Sequence, residues 1–135
     1  MKLLKSRNNR LVWGGMIALS TVAALKADVI FAHLRDVQRA MEQGSVITVD
    51  AGVLTLAQVA SANKEYSRII FPSLLEHLRN CRPKDVAQHA EKSLVAINVD
   101  NKHDFIVTLE KRMEDLSATQ MKRVKKVIKE VATVH

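Results

Sequence analysis

The 135-residue chain has one cysteine, two prolines, four glycines and only 4% aromatic residues. A single thiol, Cys81, cannot close an internal disulfide, so an apolar core must hold the fold, and the chain suits a reducing compartment, the cytoplasm. So few prolines and glycines leave little material for sheet turns or flexible linkers. So few aromatics weigh against a protein that reads nucleobases by stacking. No Gly-rich phosphate loop, no Ser–His–Asp arrangement and no carboxylate pair at an evident site is present, which predicts no catalysis and no cofactor. The apolar stretch Leu11 to Leu25 falls short of the ~20 residues a membrane span needs, so no membrane partner is expected. Flanked by Lys2, Lys5, Arg7 and Arg10 before it and Ala24-Leu25-Lys26-Ala27 behind it, that stretch imitates a secretion signal. It falls into register with later helices, however, and is read as part of the fold.

What is present is an ordinary globular balance, 47% hydrophobic and 26% charged, in a length that suits one domain over 1–135. The charge is unevenly placed. Residues 1–10 and residues 117–135 each carry a net +4 and the body between them −1, which together make the +7 of the chain. A nucleic-acid binder usually runs its basic stripe across the body, so this distribution counts against one.

Apolar residues recur every three or four positions almost throughout, which predicts helices. The clearest pair is Asn63–Asn80, containing Ile70-Phe71-Pro72-Ser73-Leu74-Leu75, and Pro83–Asn98, opened by a proline that suits a first helical turn. Before them the pattern predicts helices over Asn8–Leu25, from Ala27 or Asp28 to Gly44, and over Ser45–Ser61. After them come a helix from Asp100 or Asn101 through Leu116 and one from Ser117, where Ser117-x-x-Gln120 has the form of a capping box.

Alternate helices superpose. Val12, Gly15, Leu19 and Val22 align with Val49, Gly52, Leu56 and Val59, then with Ala87, Ala90, Leu94 and Ile97, then with Met121, Val124, Ile128 and Val131. The markers Gly15, Gly52, Ala90 and Val124 lie 37, 38 and 34 residues apart, and Phe31, Phe71 and Phe105 recur in the other helices at 40 and 34. Self-similarity at this period predicts an all-α solenoid, an α-α superhelix whose hairpins bury their apolar faces on one another. A small marker is expected wherever neighbouring hairpins stack closely.

The pattern resembles HEAT and armadillo-type repeats. Phe71-Pro72-Ser73-Leu74-Leu75-Glu76-His77-Leu78 is similar to a HEAT first helix, and Asp85-Val86-Ala87-x-x-Ala90-x-x-x-Leu94 to a second. The resemblance implies a right-handed α-solenoid of three to four hairpins: an incomplete first repeat over 1–25, then repeats at about 27–61, 63–98 and 100–135. It implies no catalytic residue, and it makes the second helices the concave, partner-gripping face. Trp13, Asp50, Gln88 and Lys122 then form one column of that face, and Ile17, Leu54, Lys92 and Lys126 the next. The expected function is non-catalytic protein binding. The alternative is a nucleic-acid-binding module related to HEAT-like DNA glycosylases, with Trp13 and Asp50 as its enzyme-like pair and the basic C-terminal helix as its contact.

Two further features bear on partners. His77 and Cys81 are four apart, with His89 eight residues on, but structural zinc normally takes four ligands and no fourth is evident, so no metal is expected. Leu11, Val12, Trp13, Met16, Ile17, Leu19 and Val22 wrap most of the first helix, and only 1–7 precede it. That apolar end predicts self-association, or a chain that continues a longer solenoid.

Overall fold

The computed structural model of this chain describes residues 9–23 and 25–134, the side chains of 9–11, 13 and 46 lying outside the description. Among the described residues every regular element is helical. They are α1 Asn9–Val22, α2 Ala27–Ala32, α3 Leu34–Gln43, α4 Val46–Ala60, α5 Lys64–Asn80, α6 Pro83–Ser93, α7 Lys102–Arg112 and α8 Ala118–Ala132. Short 3-10 turns follow α6 at Leu94–Ala96 and α7 at Met113–Asp115.

Several starts are set by local chemistry. Ser45 and Asn63 accept from the backbone N–H of Thr48 and Tyr66, each three residues on, and Pro83 opens α6. Ser117 and Gln120 form the reciprocal capping box at the head of α8. Along α5 the helix runs on through Pro72, which lacks the N–H that would bond the Arg68 carbonyl.

Other boundaries depart from the sequence reading. The helix expected from Ala27 to Gly44 breaks at His33 into α2 and α3. Val29-Ile30-Phe31 is a weak helix-forming run, and Phe31, next to the last residue of α2, is stacked on Tyr66 of α5 with ring centroids 4.0 Å apart. The helix expected to reach Asn98 ends at Ser93. Asn98 and Asn101 explain this. Each accepts a backbone N–H of the other through its side-chain oxygen, and Asn101 Nδ2 donates to the Ala96 carbonyl, a local network that competes with helix. The inward face of α8 is Val124, Val127 and Val131, with Ile128 only half-buried, and Val22 on α1 is exposed rather than inward.

The helices pack in two rows. In one, α4 contacts α1 and α6, and α6 contacts α8. In the other, α5 contacts α7, while the Phe31–Tyr66 stack and a Gln38–Ser73 hydrogen bond join α2 and α3 to α5. The marker residues Gly15, Gly52, Ala90 and Val124 are all buried in the first row. In the second, Phe71 and Phe105 are buried 6.4 Å apart.

The reason for glycine at 52 differs from the expected one. A Cβ there would lie 2.5 Å from Cγ of Met41 and 2.6 Å from its sulfur, so Gly52 makes room for α3 of its own hairpin, not for a neighbouring one. At the centre is α4, apolar on nearly every side, as a helix contacted by α1, α2, α3, α5 and α6 must be. No helix among the described residues is long and apolar enough to cross a membrane.

Candidate functional site

The central helix α4 carries one charged residue, Asp50. A carboxylate on so apolar a helix needs a strong partner, and it finds one across the row. Asp50 Oδ1 accepts a short hydrogen bond from Nε2 of His89 on α6, and Oδ2 is 3.4 Å from the Gln88 side-chain amide. His89 is fully buried. Its other nitrogen, Nδ1, meets Nε2 of His77 at 2.8 Å, and His77 is contributed by the last turn of α5. Three helices thus place a carboxylate and two imidazoles in a line, Asp50–His89–His77.

With both imidazoles neutral, a His89 that donates from Nε2 to the carboxylate accepts at Nδ1, and His77 donates to it from Nε2. Burial, together with the neighbouring His89, pushes the His77 imidazole down to about 4, so it is neutral at neutral pH.

Cys81 stands at the C-cap of α5 beside this line. Its sulfur and the nearest nitrogens of His77 and His89 lie within 4.8 Å of one another. Burial pushes the Cys81 thiol up, which the adjacent Arg112 partly opposes, so the free group is a thiol and a poor nucleophile. Arg112, buried at the end of α7, fixes the position. It donates to the Leu78 carbonyl at 2.7 Å and the Cys81 carbonyl at 2.8 Å, with its Nη1 4.0 Å from the sulfur. On the outer side, Arg82 pairs with Asp85 at 2.8 Å and holds that carboxyl below its usual range. His77 also edges an open groove of about 530 Å³ between α3, α4 and α5, lined by Gln38, Met41, Glu42, Pro72 and Glu76 among others.

Asp50 and Gln88 come together, through the hydrogen bond just described. Leu54 and Lys92 are half-buried, Lys122 and Lys126 are exposed, and Ile17 is 46% exposed. The side chain of Trp13 lies outside the described residues. Asp50 reaches His89, and its expected pairing with Trp13 lies outside the described side chains. The register already contained that clue, since His89 directly follows Gln88, the residue aligned with Asp50.

Compared with known proteins, the chain matches no family model, no curated protein and no solved structure. Its functional reading therefore rests on its own residues.

Proposed function

We propose that this chain is a non-catalytic, cytoplasmic protein-binding module built as a right-handed HEAT-like α-solenoid. The observation that carries the architecture is the serial packing of α1, α4, α6 and α8, with the buried markers Gly15, Gly52, Ala90 and Val124 at periods of 37, 38 and 34 residues. Binding is read from α1, at one end of that row. On α1, Ile17 is 46% exposed and Val22 39%, although both belong to the repeat pattern. Apolar side chains left uncovered at the end of a solenoid form a contact surface for a second protein or a second copy of the chain. Of the two expected concave columns, Ile17, Leu54, Lys92, Lys122 and Lys126 extend that surface along the row.

Light scattering over a concentration series tests the reading, with Ile17→Lys and Val22→Lys as the variants. A dimer that both substitutions disperse supports it. Identical behaviour of wild type and variants, monomeric throughout, removes self-association and leaves only a foreign protein as occupant.

One observation favours the second reading, nucleic-acid binding. Lys122, Lys125, Lys126 and Lys129 are all exposed on α8, whereas Arg123 is committed to Glu91 at 2.5 Å. Affinity for random duplex DNA should then fall steeply with salt, and absence of binding at low salt excludes it.

A further inference from the structure

His77, Cys81 and His89, spaced along one helix pair, are brought together by the fold. From these contacts we infer that His77, Cys81 and His89 bind one zinc-class divalent ion, with Asp50 orienting the His89 ring from behind.

The donor set is the first argument. Two imidazoles and a thiolate are borderline-to-soft donors that select zinc and its first-row neighbours over magnesium or calcium. Zinc is also held by three protein ligands with a water in the fourth position, so the absence of a fourth residue does not exclude the ion.

Geometry is the second. Bonds of about 2.0–2.1 Å to nitrogen and 2.3 Å to sulfur place tetrahedral ligand atoms roughly 3.3–3.7 Å apart. Here the two nitrogens stand 2.8 Å apart and all three donor atoms fall within 4.8 Å. Opening the imidazole pair by roughly half an ångström and drawing the sulfur in by about one reaches that geometry. Cys81 sits past the last turn of α5 and can turn about its χ1.

The third argument is the surrounding shell. Asp50 on Nε2 of His89 leaves Nδ1 aimed at the site, the carboxylate–histidine arrangement that fixes ring and tautomer in metal centres. His77 Nε2 faces that same Nδ1. The Arg112 guanidinium, 4.0 Å from the sulfur, offsets the thiolate charge and clamps the Cys81 backbone. The groove edged by His77 supplies an entry path.

Binding balances simply. The proton on Nε2 of His77 moves to its Nδ1, the Cys81 S–H proton leaves to solvent, and the ion forms bonds to His77 Nε2, His89 Nδ1 and Cys81 Sγ.

The test uses the full chain, reduced and freed of metal. Cobalt(II) should titrate to one equivalent, with a thiolate-to-cobalt charge-transfer band and intense tetrahedral ligand-field bands, and zinc should displace it. Cys81→Ser should abolish the charge-transfer band. His77→Gln should weaken zinc about tenfold or more against a chromophoric chelator, and so should Asp50→Asn. Circular dichroism establishes that each variant is folded. If Cys81→Ser does not fold, alkylating the Cys81 thiol of the native chain must abolish the band instead. Weak octahedral cobalt spectra without charge transfer, or zinc affinity unchanged by both Cys81→Ser and His77→Gln, would overturn the site. Unchanged affinity in Asp50→Asn would overturn the role given to Asp50.

Discussion

Replacing Gly52 by alanine sets two effects of similar size against each other. Within a helix, Ala is favoured over Gly by about 1 kcal/mol. Against that, the new Cβ would stand 2.5 Å from Met41 Cγ and 2.6 Å from its sulfur, well inside contact distance. Overpacking of this kind costs about 1–3 kcal/mol where the neighbour cannot move. Met41 is half-buried and lines the open groove, so it can rotate toward solvent and give up part of its packing. The two effects nearly cancel, and Gly52→Ala should change stability by about 1 kcal/mol or less in the native background. In a Met41→Ala background the obstacle is gone, and the same substitution should stabilise by about 1 kcal/mol. The difference is a coupling of about 1 kcal/mol, measurable from urea midpoints across the four-member cycle, provided the slopes agree. Gly52→Leu, which Met41 cannot accommodate by one rotation, should cost about 2–3 kcal/mol. If Gly52→Ala stabilises equally with and without Met41, residue 52 does not face α3 and the hairpin packing described above is wrong.

Arg112→Met should lower stability by about 2–4 kcal/mol, because the Leu78 and Cys81 carbonyls lose a buried, charged donor; a thermal unfolding midpoint equal to wild type would refute it. Tyr66, the only tyrosine, donates to Asp28 at 2.5 Å, and that bond raises its phenol above the ordinary value of 10.0. Since the folded-state value is the higher one, this contact contributes fully below about pH 10 and is lost as pH rises through the folded value. Asp28→Asn should bring the tyrosinate absorbance transition back toward pH 10.0, and an unmoved titration curve would deny the bond. Ser117→Ala removes half of the α8 capping box and should cost about 1 kcal/mol in a denaturant titration. No change there would place the start of α8 elsewhere.

Helix class, several helix starts and part of the buried faces were legible because their causes lie within a few residues. Ser45, Asn63 and Ser117 cap from three positions away, and apolar spacing alone marks the faces that carry Ile70, Leu74 and Leu78 on α5 or Val124 and Val131 on α8. The repeat alignment set Asp50 and Gln88 in one column, and the two side chains lie within hydrogen-bond distance. Tertiary structure decided the rest. The break at His33 follows a stack on Tyr66, 35 residues from Phe31 in sequence, and the end of α6 follows a network closed between Asn98 and Asn101. Whether Gly52 served a neighbouring hairpin or its own depended on which way Met41 turned. Above all, His77, Cys81 and His89 showed in the sequence only as spacing along one hairpin. What makes them a site is Asp50, which lies 39 residues from His89, and Arg112, which lies 31 from Cys81. A charge on an apolar helix says that a partner must exist; only the packing of α4 against α6 decides that it is a histidine.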